Sequence, residues 1–425
     1  MLQTLRNAWR IEEIRKKILF TLLIVLLYRI GNAIPVPFVN TALLQMYFQQ
    51  LQNTALGLLD AMSGGSFSTA TIFALSIPPY INASIIIQLL CIAIPALERM
   101  SKEEGEEGRK KIASITRYST VAIGLLQGFG YYMLMKNNGI IVADASSSVW
   151  AAIVIILTFT SGSALIMWLG EQITEFGIGN GISIILFASI ISRFPNSVIT
   201  TIQNVINGSL SWWAAVLVFL GALALIVLIV FVNDAERRIP VQYAKRVVGR
   251  KMYGGQSTHL PMKVNMSGVM PIIFASSISS IPATIAAFTG HSQSAWAKTN
   301  TIPYAIIYLL LIIFFAYFYS TIQFNPIEVA NNLKKNGGYI PGFRPGKPTS
   351  EFIQRVLNKI TLFGAIYLGI IAVTPILVSH FSNAAALTGL SLGGTSIIIV
   401  VGVALETVRA IEAQMLMRNY KGFLS

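Results

Sequence analysis

The sequence predicts an all-α polytopic membrane protein with ten transmembrane helices. Of its 425 residues, 54% are hydrophobic and 11% are charged, whereas an ordinary soluble protein carries about 25% charged residues. The mean hydropathy of +0.66 is too high for a wettable surface or for a disordered chain. The apolar residues form long continuous runs rather than short alternating strands. Helices are therefore expected, because each helix satisfies its own backbone hydrogen bonds in lipid.

Ten apolar runs are long enough, or nearly long enough, to span a bilayer. The fifth is short and begins at a glycine-rich turn, and the tenth carries Glu406 and Arg409 near its end. Because ten is even, both termini are expected on one side of the membrane. The predicted limits are 18–34, 70–95, 118–135, 149–169, 178–194, 212–232, 264–288, 303–324, 360–379 and 392–410.

The segment 56–68 precedes the second span. It is apolar, too short to cross a membrane, and interrupted by Gly64 and Gly65. We expect a re-entrant half-helix here, and an interfacial loop helix is the alternative.

The basic residues define the orientation. By this topology 27 of the 31 lysines and arginines fall on one side, Arg29 lies inside the first span, and Lys136, Arg193 and Lys298 fall on the other side. The positive-inside rule makes the basic side cytosolic. The cytosolic loop 171–177 is an exception, because it has two glutamates and no cation.

Five spans in each half suggest a pseudo-symmetric protein with halves 1–200 and 201–425. An odd number of spans per half would insert a duplicated half upside down, and such inverted repeats place a pathway at the membrane midplane. The cytosolic loops 233–263 and 325–359 are each long enough to project as a hairpin, and they carry seven and six cations. This surplus favours docking of an acidic or polyanionic partner, and topology signalling together with attraction to anionic lipids is the alternative.

The sequence contains no HExxH, GxSxG or GxxxxGK[ST] motif, and the single cysteine, Cys91, cannot form an internal disulfide. We therefore expect no catalytic residues, no metal site, no cofactor and no enzymatic activity. An intramembrane hydrolase is disfavoured because all three histidines fall in loops. Few ionisable residues lie at mid-bilayer, which favours an apolar conduit over a small-solute secondary transporter, the second hypothesis.

Seven strings resemble the SecY translocon family, in the family's order and along nearly the whole chain. They are YRIGNAIPVP (28–37), SGGSFSTATIFALSIPPYINASIIIQLL (63–90), EEGRKKIASITRY (106–118), WLGEQITEFGIGNGISI (168–184), ERRIPVQYAKRVVGRKMYGGQSTHLPMKVNMSGVMPIIFASS (236–277), FNPIEVANNLKKNGGYIPGFRPGKPT (324–349) and GGTSIII (393–399). The QSTHLP and PGFRPG loops make the resemblance bacterial.

The resemblance implies a protein-conducting channel of the bacterial cytoplasmic membrane, with two five-helix halves around an hourglass pore. Such a channel translocates unfolded secretory polypeptides and releases membrane segments laterally into lipid. The implied partners are SecE-like and SecG-like small membrane subunits, the SecA ATPase, the ribosome through its RNA, signal peptides and anionic lipids.

The resemblance also assigns roles to residues. The implied pore ring is Ile77, Ile81, Ile182, Leu186, Ile273 and Ile399. The implied plug comprises Leu58, Leu59, Asp60, Ala61, Met62, Ser63, Gly64, Gly65, Ser66 and Phe67. The implied lateral gate lies between spans 2 and 3 and spans 7 and 8, with polar residues Gln88, Ser276 and Ser277. The implied docking residues for SecA or the ribosome are Arg237, Arg238, Arg246, Arg250, Lys251 and Arg344.

Three positions depart from the family pattern. Leu186 stands where isoleucine is common and should preserve the seal. Thr69 stands near the plug where arginine is frequent, so this chain lacks the usual positive charge at that position. Pro78 and Pro79 replace a single proline and are expected to kink the second span more sharply.

Overall fold

A computed structural model describes residues 2–50, 55–102, 104–142, 148–208, 211–243, 246–248, 251–253, 257–288, 301–381 and 394–421. Within these ranges the protein is mostly helical. The N-terminal half contains α1 (Leu2–Arg10), α2 (Glu12–Gly31), α3 (Thr41–Gln50), α4 (Ala55–Met62), α5 (Pro78–Ala93), α6 (Pro95–Lys102), α7 (Gly105–Asn137), α8 (Val149–Phe176), α9 (Gly181–Ile191) and α10 (Phe194–Ile206).

The C-terminal half combines long helices with short β-strands. Its helices are α11 (Trp212–Asp234), α12 (Met270–Phe288), α13 (Ile302–Gln323), α14 (Pro326–Lys335), α15 (Lys347–Phe381) and α16 (Gly394–Lys421). Its strands are β1 (Glu236–Tyr243), β2 (Arg246–Val248), β3 (Lys251–Tyr253), β4 (Ser257–Lys263) and β5 (Gly338–Tyr339).

Each predicted span coincides with a helix over at least part of its length. By length and composition, five described segments can cross a membrane, and α5 and the first part of α12 are shorter apolar helices. The protein is therefore a multi-pass membrane protein, and the count of ten spans stays a prediction. The five segments are Val149–Phe176, Gly181–Ile206, Trp212–Asp234, Ile302–Lys335 and Lys347–Leu377.

The second span begins later than expected. Residues 63–77 form turns, with Ala70 and Ser76 at positive φ, and α5 begins at Pro78. The expected kink at Pro78 and Pro79 is wrong, since both prolines lie in the first turn of α5. A backbone N–H there has no helical acceptor, so proline starts the helix without breaking it.

The largest hydrophobic core joins the two halves of the chain. It brings together buried side chains of α2, α5, α8 and α9 with side chains of α11, α12, α13, α15 and α16. A second core on the predicted outer side surrounds Phe67, Tyr131 and Phe159. Large apolar side chains elsewhere point outward, as on α11, where Phe219 and Phe231 are exposed. Such faces suit contact with lipid chains.

The two long basic loops form one unit. Strands β1 and β4 pair antiparallel from Glu236↔Lys263 to Gln242↔Ser257, and β5 adds to the other edge of β1. The predicted hairpin is thus confirmed for 233–263. For 325–359 it is wrong, because this loop comprises α14, β5 and the beginning of α15, which starts at Lys347. Apolar side chains of both loops, such as Ile239 and Ile353, form a common small core.

Candidate functional site

The implied pore residues share the largest hydrophobic core. The carbonyl oxygen of Ile77 accepts the N–H of Ile81 at 3.1 Å, so these two side chains lie one helical turn apart at the start of α5. Ile182 and Leu186 have the same spacing on α9. All six residues belong to, or pack against, the largest core, and five are at most 3% exposed: Ile77, Ile81, Leu186, Ile273 and Ile399.

A cavity of about 430 Å³ lies beside these residues. Ile81, Leu186 and Ile273 line it, together with the partly buried Ile182. Ser84, Gln88 and Ser183 also line it, as do the charged and amide side chains Arg117, Glu171, Glu175 and Asn180. The cavity lining therefore combines aliphatic, polar and charged groups.

The segment 171–177, expected to be a loop, instead continues helix α8 to Phe176, and its Glu171 and Glu175 contribute the carboxylates of this cavity. Arg117 binds Glu171 with two contacts, Nη2 to Oε2 at 2.9 Å and Nε to Oε1 at 3.0 Å. The hydrogen bond to Glu171 raises the pKa of the Arg117 guanidinium, and Glu175 adds a smaller electrostatic effect. Glu175 itself is exposed and forms no ion pair with a described cation.

The implied plug lies on the opposite side of the pore residues. Its helix α4 packs against α9 and α12 and ends at Met62, before Gly64 and Gly65 at φ of +71° and +90°. A Cβ at Gly64 would lie 2.8 Å from the carbonyl oxygen of Ser189, so this turn and close approach both require glycine. The expected half-helix is thus shorter than 56–68, and the side chain of Leu58 lies outside the described residues.

A buried carboxylate holds this segment in place. Asp60 forms an ion pair with Arg193, which lies between α9 and α10, and also accepts the N–H of Ser68 at 2.7 Å. The side chain of Asp60 is 9% exposed and that of Arg193 is 35% exposed. The sequence analysis placed Arg193 on the predicted outer side, where cations are few, but did not predict its pairing with Asp60. Thr69, where an arginine is frequent in the family, instead donates its hydroxyl to the carbonyl oxygen of Gly65 at 2.9 Å.

The implied gate residues lie on neighbouring helices but do not bond to one another. Gln88 Nε2 donates to Ser84 Oγ at 3.1 Å within α5. Ser276 Oγ donates to the carbonyl oxygen of Ile273 at 2.8 Å and lies 3.9 Å from Met62 Sδ. Ser277 is buried, and its Oγ has no hydrogen-bond partner among the described residues.

The implied docking cations that the structure describes lie on the two small sheets and on the turn before α15. Arg237 and Arg238 on β1 and Arg344 before α15 are exposed. Arg238 Nε contacts Glu236 Oε1 at 2.7 Å. The backbones of Arg246 and Lys251 lie in β2 and β3, and Arg250 is outside the described residues.

Comparison with known proteins identifies the family. A family model described as SecY matches residues 71–408. The chain belongs to the SecY family. Two SecY relatives, each named protein translocase subunit SecY, align with all of this chain and with their own full length: one from Streptomyces scabiei, 45% identical over 442 residues, and one from Mycobacterium bovis, 44% identical over 448 residues. The resemblance drawn from the sequence motifs is confirmed, and a SecY chain is a translocase subunit, not an enzyme.

Solved structures agree on the SecY fold. One described as "The structure of a protein conducting channel" has a TM-score of 0.67 at 17% identity and covers 95% of this chain and 93% of its own. Another, described as Sec61 in the canine ribosome-channel complex from the endoplasmic reticulum, has a TM-score of 0.63 at 17% identity, with the same coverage. Both support the architecture of a SecY channel for this chain.

Proposed function

We propose that this protein is the channel subunit through which unfolded secretory polypeptides cross the bacterial cytoplasmic membrane. Family membership supports this function, and one structural observation carries it. Aliphatic side chains of α5, α9, α12 and α16 share one core, and four of them, Ile81, Ile182, Leu186 and Ile273, line a cavity that also has polar side chains. In this proposal ten spans form the halves 1–200 and 201–425, and both termini are cytosolic.

The chemistry of the ring suits a passive conduit. The ring contains only branched aliphatic side chains, which can close around a passing chain and exclude water and ions when empty. Residues 58–67 act as the plug and block the pore from the outer side. Because the sequence has no nucleotide-binding motif, transport must be driven by a partner.

The gate and the cytosolic sheet complete the proposal. Helix α12 packs against α5, α7 and α13, so separation of α12 from α5 and α7 would open the pore laterally to lipid. Gln88, Ser276 and Ser277 are the polar residues along this opening. The exposed cations of β1 and of the turn at Arg344 dock SecA or ribosomal RNA. SecE-like and SecG-like subunits support the channel. Anionic lipids neutralise part of the remaining positive charge.

A secondary transporter with inverted repeats is not favoured. A solute or ion site would require charged or polar groups at the ring. All six ring side chains are aliphatic instead.

Disulfide cross-linking tests the pathway. Cysteine at Ile81 or Ile273, in a chain with Cys91→Ser, should form a disulfide with a cysteine in a stalled secretory polypeptide. Ile370→Cys on α15 is the matched control, because Ile370 is 59% exposed outside the core. Adducts at Ile370 but not at Ile81 or Ile273 would contradict the proposed pathway.

A further inference from the structure

The charges around the central cavity differ from those on the rest of the cytosolic side. The predicted cytosolic segments carry 27 cations, yet segment 171–177 has two glutamates and no cation. The fold places both glutamates in the last turns of α8, on the lining of the cavity that also contains four of the implied pore residues. An entering polypeptide would therefore pass a cationic surface and then meet carboxylates.

The two carboxylates differ in their partners. The guanidinium of Arg117 neutralises Glu171 through two contacts. Glu175 lies one helical turn further along α8, exposed to the cavity and without an ion pair to a described cation. Together these three groups leave one net negative charge on the cavity lining.

Unsatisfied polar atoms in the same cavity provide an independent indication of a ligand. Ser183 is 1% exposed, and its Oγ has no hydrogen-bond partner among the described residues. The buried Oε1 of Gln88 also lacks a donor. Native structures leave few buried polar atoms unpaired, and the exceptions require an explanation. The backbone N–H and C=O groups of an extended polypeptide would satisfy both atoms.

We propose that Glu175, supported by Glu171, accepts a lysine or arginine side chain of the entering polypeptide, whose backbone hydrogen-bonds to Ser183 and Gln88. This inference rests on the proposed channel function and adds charge selectivity to it. The site retains a cationic flank of an apolar segment on the cytosolic side. An acidic flank forms no ion pair with this site and therefore crosses the membrane more readily.

Inverted membrane vesicles containing the full-length protein provide the test. Two model polypeptides are compared, identical except for a lysine or a glutamate block beside one apolar segment. The readout is the ratio of retained to translocated flank. Glu175→Lys should lower the ratio for the lysine block roughly twofold to fivefold, as expected for a solvent-exposed ion pair. Glu175→Gln should give a smaller decrease, and Glu175→Asp should keep the wild-type ratio.

Glu106→Lys is the matched control. Glu106 is exposed on α7, on the same predicted side, and does not line the cavity. It changes the net charge by the same amount and should leave the ratio unchanged. In a second measurement, Ser183→Cys should form a disulfide with a cysteine placed just after the lysine block, and adding Glu175→Lys should reduce the yield.

The outcomes separate the two proposals. If wild-type vesicles neither insert nor translocate either polypeptide, the channel function fails, and the cation site fails with it. If both polypeptides are processed but Glu175→Lys leaves the ratio unchanged, only the cation site is overturned. Equal effects of Glu175→Lys and Glu106→Lys would also overturn it, because they would indicate general surface charge.

Discussion

Removal of the charge on Arg193 should release the segment 58–67 and make the resting channel leak ions. Arg193 pairs with Asp60, whose carboxylate is 9% exposed. Truncating one partner of a fully buried pair costs about 3–5 kcal/mol. An exposed pair contributes about 0–1 kcal/mol.

The structure places this pair between the two limits. The Arg193 side chain is 35% exposed, and Asp60 keeps its hydrogen bond from the N–H of Ser68 when the arginine is lost. We therefore expect a loss of about 2 kcal/mol, which raises the population of the displaced segment roughly 30-fold. Arg193→Gln and Asp60→Asn should each produce this increase.

The assay is the ion conductance of the full-length protein in planar bilayers without a substrate polypeptide. The double variant Asp60→Asn/Arg193→Gln should leak about as much as either single variant, because both substitutions remove the same interaction. Deletion of Met62–Phe67 gives the upper limit of leak. Lys136→Gln is the control, since Lys136 is an exposed outer cation that lies over the ring of Tyr132. Unchanged conductance in both single variants, or a strictly additive double variant, would refute the reasoning.

Three further predictions concern other parts of the molecule. Arg344→Glu should impair SecA-dependent export far more than insertion of the protein itself, because Arg344 is exposed; equal losses would indicate misfolding. Gly162→Ala should lower the midpoint of thermal unfolding in detergent, since its Cβ would clash with the backbone oxygen of Ile72. Gly221→Ala, with nothing within 4 Å, should not lower it, and equal decreases would contradict the packing argument. Partial burial, and secondarily a nearby arginine of α16, lowers the pKa of Lys263 at the base of β4. The base of the β1–β4 hairpin should therefore become more stable as the pH rises from that lowered pKa towards 10.5, the ordinary lysine value. Hydrogen exchange of the β1 and β4 amides measures this stability. Lys263→Met should abolish its dependence on pH.

Some features could be predicted from the sequence because they depend on local composition. Hydropathy predicts the apolar helices, because the cost of burying a side chain in lipid depends mainly on that side chain. The long motifs were sufficient to predict the family. The limits of the spans were less reliable. The apolar run that includes Ile72 is continuous with α5 in the sequence. However, Ala70 and Ser76 adopt positive φ, and the helix begins only at Pro78.

The pairing of strands in loop 325–359 could not be predicted from the sequence. The length and glycines of this loop are compatible with a hairpin, yet β5 pairs with β1, about 100 residues earlier, and not within its own loop. Strand pairing between distant segments depends on how the preceding helices pack. Local patterns do not contain that information.

The sequence by itself determined that this protein is a multi-pass helical membrane protein with a strong excess of cations on one side, because hydropathy and charge are properties of single segments. Only the tertiary structure decided that Arg193 faces Asp60, and that Glu175 lies at the cavity leading to Ile81 and Ile273. Both relationships join segments more than 90 residues apart, and their energies depend on distances that only the packed helices define.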